Sequence, residues 1–220
     1  MASGKFITFE GGEGSGKSTQ AKLLADRLRA KGIDVVLTRE PGGSPFAEQI
    51  RELLLSGNLA PHPPLAEALL FYAARADHMA TTIRPALAAG RWVICDRFSD
   101  STRVYQGGAG GLGADVLAEL ERLVVGAGQP HLTLILDLAP ALGLARAEAR
   151  RTGPGDVACA EADPYERRDL AFHERLRAGY LAIAGAEPAR CAVVDAAEAA
   201  DAIAARVWSL VESRLLAGRP

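Results

Sequence analysis

Lys17 and Ser18 sit near the end of the run Gly11-Gly12-Glu13-Gly14-Ser15-Gly16-Lys17-Ser18-Thr19. In it Gly11, Gly16, Lys17 and Ser18 fill the pattern G-x-x-x-x-G-K-[ST] without a mismatch. These residue types at this spacing suit the phosphates of a nucleoside triphosphate. Glycines let the chain curl until successive backbone N–H groups face one anion-sized hollow. The N-terminus of a following helix adds partial positive charge. Lys17 can reach β- and γ-phosphate oxygens, and the Ser18 hydroxyl can ligate the Mg²⁺ that accompanies a nucleoside triphosphate. A glycine-rich turn with an accidental lysine is the bland alternative, and the flanks argue against it. Lys5-Phe6-Ile7-Thr8-Phe9 reads as a strand, and Leu24 and Leu28, four apart with charges between, read as a helix.

A second group of chemically capable residues follows other apolar runs. Arg39-Glu40 comes after Val35-Val36-Leu37, Asp96-Arg97 after Trp92-Val93-Ile94-Cys95, and Asp137 after Leu132-Thr133-Leu134-Ile135-Leu136. A kinase acting on a phosphorylated acceptor needs several arginines on one rim and an arginine-bearing flap. Arg39, Arg97 and the group Arg146, Arg150 and Arg151 supply both. For a single arginine, solvated surface charge is the commoner fate. It is a poor account of two arginines that directly follow strand ends beside a phosphate loop.

The elements that must position these groups can be read in order. Ser44-Pro45 opens a helix stopped by Ser56-Gly57-Asn58, and Pro61-His62-Pro63-Pro64 is a rigid connector. Residues 65–89 read as a long alanine-rich helix bent at Pro85. The glycines of 107–113 predict a mobile loop, 114–125 a helix, and Pro140 opens the helix that carries the three later arginines. Residues 152–164 read as a loop, 165–184 as a helix, Cys191-Ala192-Val193-Val194 as a last strand and 199–216 as a closing helix. Continuous apolar strands alternating with helices indicate an α/β fold: a parallel sheet covered on both faces, with ligands at the carboxyl ends of its strands. There is neither an internal repeat nor a linker, so a single domain spanning 1–220 is expected.

The totals narrow the class. A net charge of −2, with 49% hydrophobic and 24% charged residues, indicates a soluble globular protein and argues against a general nucleic-acid or membrane binder. Cys95, Cys159 and Cys191 suggest neither a disulfide framework nor a zinc site, and His62, His78, His131 and His173 lack metal-ligand spacing. With no signal-peptide pattern and no apolar run of about 18 residues, a cytoplasmic protein is expected. A regulatory GTPase would need N-K-x-D and D-x-x-G. The single asparagine, Asn58, precedes Leu59, and no Asp has Gly three residues on.

Arg39-Glu40-Pro41-Gly42-Gly43-Ser44-Pro45, Leu70-Phe71-Tyr72-Ala73-Ala74-Arg75, and Asp96-Arg97-Phe98 with Ser101-Thr102 and Tyr105-Gln106-Gly107 closely resemble thymidylate kinase. The resemblance runs in order over nearly the whole chain. It implies a P-loop nucleoside-monophosphate-kinase fold with a five-stranded parallel sheet, ATP and dTMP as substrates, Mg²⁺ as cofactor, a homodimer and a lid at about 146–164. Phe71 and Arg75, four apart on a helix, face the same way. By resemblance Phe71 stacks on thymine, Arg75 donates to its O4, and Thr102 and Gln106 contact the base. Tyr105 lies beside the sugar 2′ position, Arg97 and Arg39 hold the dTMP phosphate, and Glu13 lies near the sugar and the transfer path. Residues 11–19 form the ATP phosphate site, with Ser18 and Asp96 serving Mg²⁺. Ser15 stands where some members carry a loop arginine, so the catalytic arginine is expected in the lid, from Arg146, Arg150 or Arg151. Glu148 and the run Asp163-Pro164-Tyr165-Glu166 depart from the usual lid, and leave open which arginine bridges the phosphates. Other nucleoside-monophosphate kinases, acting on dUMP, UMP or CMP, are the alternative, and a P-loop switch or ATPase module a more distant one.

Overall fold

The computed structural model describes residues 4–57, 59–152 and 164–217. Five strands pair in parallel in the order β2-β3-β1-β4-β5. They are β1 (Phe6–Glu10), β2 (Val35–Arg39), β3 (Trp92–Asp96), β4 (Leu132–Asp137) and β5 (Cys191–Asp195). β1 is central and wholly buried, which explains why its sequence reads as a continuous apolar run. The sheet sends Ile7 and Phe9 to one face, where they meet Leu24 and Leu28 of α1 (Lys17–Ala30) and Val207 and Trp208 of α9 (Ala200–Val211). Phe6, Val93 and Cys95 point to the other face, against Met79, Ile83 and Phe98. On that side Ile135 packs with Leu176 and Tyr180 of α8 (Leu170–Ala186).

Register fixes the functional rim. Arg39 lies opposite Asp96, and Phe9 is the other neighbour of Asp96. From β1 the chain leaves β3 on one side and β4 on the other, the arrangement that opens a crevice at the carboxyl ends of the strands. The loop of residues 11–16 enters there.

The helix expected over 65–89 has a different interior. α3 (Pro64–His78) passes into wider π turns at Met79–Ile83, and α4 (Arg84–Ala88) completes it. The irregularity therefore comes before Pro85, which takes a first-turn position in α4, where its missing N–H costs little. The glycines at 107–113 also begin differently: α5 (Ser99–Thr102) continues as π turns through Arg103–Gly108, with Gly107 buried. Only the later glycines connect to α6 (Ala114–Val124). Tyr165 was expected inside a helix, but α8 begins at Leu170, capped by the Asp169 carboxylate accepting from Phe172 N at 2.8 Å. α2 (Pro45–Leu55) and α7 (Pro140–Thr152) fall where the sequence places them. Of the expected lid, 153–163 lie outside the described residues.

Candidate active site

A cleft of about 280 Å³ lies over the carboxyl ends of β1, β2 and β3. Lys17, Ser18 and Thr19 line it from the start of α1, Arg39 from β2, Asp96 from the end of β3 with Arg97 directly after it, and Arg150 from α7. Phe71 and Arg75 of α3, with Thr102, Tyr105 and Gln106 beyond β3, form the far wall. Most of the residues singled out in the sequence thus meet in one cavity.

The loop is shaped by close backbone approaches. Gly16 precedes α1 at φ 89° and Gly14 adopts φ 65°, conformations that glycine accepts at little cost. A Cβ on Gly14 would lie 2.0 Å from the carbonyl oxygen of Gly143 on α7, and one on Gly143 only 2.3 Å from Glu13 O. Inside the loop Lys17 Nζ donates to Gly12 O at 2.7 Å, and Ser15 Oγ to the same oxygen at 2.9 Å. Burial, and then the Arg97 guanidinium, lower the Lys17 ammonium to about 8.

Arg97 is the centre of the cleft floor. Its φ of 68° is the one left-handed non-glycine conformation among the described residues, a choice that costs roughly 1–2 kcal/mol and turns the side chain back over β1. Nη2 donates to Glu13 Oε1 at 2.7 Å, and Nη1 contacts Gly11 O at 3.2 Å and Ser101 Oγ at 3.3 Å. Tyr105 donates to the same Glu13 oxygen at 2.6 Å while its ring packs under the Arg97 guanidinium. Burial alone would raise the Glu13 carboxyl, but Arg97 and then Lys17 outweigh it and hold the group at about 2. Burial pushes the Tyr105 phenol well up, so it stays a donor.

Ser18 Oγ donates to Asp96 Oδ2 in a short hydrogen bond. The two oxygens converge beside the loop and are hard donors of the kind Mg²⁺ takes. Among the described residues no three His, Cys, Asp or Glu side chains converge on a metal position. An ion there would complete its shell with phosphates and waters, the usual habit of Mg²⁺.

Sequence reading assigned no role to several members of this cavity. Glu40 is buried and accepts from Arg75 Nε at 2.7 Å and from His78 Nδ1 at 2.9 Å; His78 Nε2 lies 2.8 Å from Thr38 Oγ1. Arg75 Nη2 donates to Thr102 Oγ1 at 3.0 Å, and its Nη1 is a buried donor without a partner among the described residues. Arg51, Tyr165 and Glu166 also line the cleft. Spacing offered a signal for Arg51 alone, four before Leu55 on the face of α2 that reaches the cavity. Beneath the floor Glu10 is fully buried, accepting from Phe98 N at 2.8 Å and Ser101 Oγ at 2.6 Å; burial, then Asp100, raise it to about 7.

Not every expected residue faces the cleft. Arg39 lines it but is bound to Glu48, with Nη2–Oε2 at 3.0 Å. Of the three later arginines only Arg150 lines the cleft, 3.7 Å from Glu166. Arg146 donates to the Ala196 and Ala197 carbonyls at 2.8 and 3.0 Å, and Arg151 pairs with Glu148. Gly11 and Gly12 line a smaller hollow behind the loop, and Ser15 is buried within it.

A parallel sheet with a phosphate loop at its switch point and arginines across the cleft defines a P-loop phosphotransferase of the nucleoside-monophosphate kinase class. A family model described as thymidylate kinase matches residues 9–207. A thymidylate kinase from Caulobacter vibrioides is 56% identical, covering 98% of this chain and 99% of that protein, and one from Nitrobacter winogradskyi is 54% identical, covering 97% and 90%. A crystal structure of thymidylate kinase from Ehrlichia chaffeensis superposes with a TM-score of 0.74 at 34% identity, covering 95% of this chain and 99% of that one. The chain belongs to the thymidylate kinase family.

Proposed function

We propose that this protein transfers the γ-phosphoryl group of ATP to dTMP, giving dTDP and ADP. The observation that carries the reading is a single cleft with the phosphate loop at one end and the pair Phe71 and Arg75 at the other. The acceptor phosphate dianion is its own nucleophile, so the protein's work is positioning and charge neutralisation.

Lys17 leaves the Gly12 carbonyl for the β- and γ-phosphates of ATP. Arg97, with Arg39 and Arg51, holds the acceptor phosphate, and Tyr105 closes the space beside the sugar. Arg150, on the cleft side of α7, supplies the bridging charge that Ser15 does not. Ser18 and Asp96 are the residues that would hold Mg²⁺, whose charge would supply neutralisation of the phosphates. Glu13 orients Arg97 and Tyr105 together.

A panel of nucleoside monophosphates tests this reading through ATP turnover scored by kcat/KM. dTMP is expected to lead. Preference for a ribonucleotide, or ATP turnover without an acceptor, would refute it. Two further features belong to the proposal. Phe46, Leu53, Leu65 and Leu69 leave large apolar side chains exposed on α2 and α3, which supports a homodimer built on these helices. A monomer mass by light scattering at micromolar concentration would overturn it. The buried free thiols Cys95 and Cys191 suit a reducing, cytoplasmic setting.

A further inference from the structure

Glu67 lies in the first turn of α3, one turn before Phe71 and two before Arg75, so the three share a face. Its Oε2 accepts from Gln106 Nε2 at 2.9 Å, while its other oxygen lies 3.6 Å from His62 Nε2. Gln106 is 2% exposed and lines the cleft, and its Nε2 also lies 3.3 Å from Tyr165 Oη.

A carboxylate can only accept, so the Gln106 amide nitrogen must turn toward Glu67. Both amide hydrogens then have protein partners, Glu67 and Tyr165. The amide oxygen is left as the acceptor, and among the described residues no donor reaches it. Across the same wall Arg75 Nη1 is a buried donor without a partner among the described residues, because Glu40 and Thr102 take the rest of that guanidinium. The residues lining the cleft therefore offer one such donor, on Arg75, and one such acceptor, on Gln106.

We propose that Glu67 is a positioning residue for base choice, fixing the Gln106 amide so that its oxygen accepts from a pyrimidine ring N–H beside a carbonyl. The inference rests on the acceptor site assigned above. Thymine and uracil present that carbonyl and ring N–H. Cytosine presents an amino group and a bare ring nitrogen, which would set donor against donor and acceptor against acceptor.

The test is kcat/KM for dTMP and dCMP in the full-length protein and in Glu67→Gln, with folding checked by thermal melting. A neutral amide at 67 lets Gln106 turn over. The dTMP-to-dCMP ratio should then fall by about tenfold or more, through loss on dTMP and gain on dCMP. The exchange Glu67→Gln/Gln106→Glu restores an obligate acceptor and should recover the ratio. A merely structural role would lower both substrates together. A Glu67→Gln ratio within about twofold of the unchanged protein overturns the proposal. If Glu67→Gln does not fold, the exchange variant alone decides: retained discrimination supports the proposal, lost discrimination overturns it. Absence of dTMP-dependent turnover in the unchanged protein is a separate result, seen first, and removes the acceptor assignment together with this inference.

Discussion

Glu13 Oε1 accepts at 2.7 Å from Arg97 Nη2, and the Tyr105 hydroxyl reaches the same oxygen at 2.6 Å. The arginine proposed to hold the acceptor phosphate is thus already matched to an anion from the phosphate loop. One carboxylate ties the donor loop to the acceptor wall.

Glu13→Gln keeps the shape and removes the charge. Arg97 loses its internal counter-ion, so dTMP binding should hold or tighten, while Arg97 and Tyr105 lose their common anchor. kcat should fall by about tenfold or more without a rise in KM for dTMP, as steady-state kinetics would show. A higher KM with unchanged kcat would contradict this role.

Lys17 gives a pH signature. In the free protein its ammonium loses its proton at about 8, and the neutral amine attracts phosphate less. kcat/KM for ATP, which reports the free protein, should decline as pH rises through about 8. Bound triphosphate favours the charged form, so kcat should hold to higher pH. Lys17→Ala should abolish turnover and leave dTMP binding largely intact by calorimetry.

Arg150 should separate from its neighbours. It alone of the three lines the cleft, whereas Arg146 is bound to two carbonyls and Arg151 to Glu148. Arg150→Ala is expected to lower kcat by roughly a hundredfold or more with a small change in KM for dTMP. Arg146→Ala and Arg151→Ala should cost kcat less, and the reverse order would move the bridging role.

Glu10 makes stability depend on pH. Its carboxyl sits at about 7 in the folded state, against an ordinary value of 4.5, because it is buried beside Asp100. The folded state therefore binds more protons than the unfolded state between those values, and stability falls as pH rises through that window. Glu10→Gln lacks this term. Its stability relative to the parent should improve by roughly 2–3 kcal/mol from pH 5 to pH 8 in urea titrations.

The sheet and its rim were legible because both are local signals: a loop pattern, apolar runs and charged residues directly after them. The partnerships were not. Glu40 follows Arg39 in sequence, but its partners Arg75 and His78 lie on another helix, 35 and 38 residues on. Glu10 looks like the polar end of a strand, yet it is buried under Ser101 and Tyr180, 91 and 170 residues on. Tyr165 reads as the start of a helix because no breaker follows Pro164. In the fold it belongs to a turn, with its ring 5.3 Å from that of Tyr105. Glu67 looks like a first-turn acid, useful only to its own helix, until the fold brings Gln106 against it. Arg146 and Arg150 share a helix face by spacing, but the carbonyls after β5 take the first and leave the second to the cleft.

Gly14 and Gly143 meet with no room for a side chain on either. The helix bearing Arg150 is therefore gauged directly against the loop proposed to receive ATP, backbone to backbone, with no compressible spacer between them. Seven residues, about two helical turns, separate that contact from Arg150. The reach of the arginine into the cleft is thus measured from the loop itself. A methyl group added at 143 would meet the Glu13 carbonyl and act as a shim, shifting helix and loop apart and the guanidinium with them.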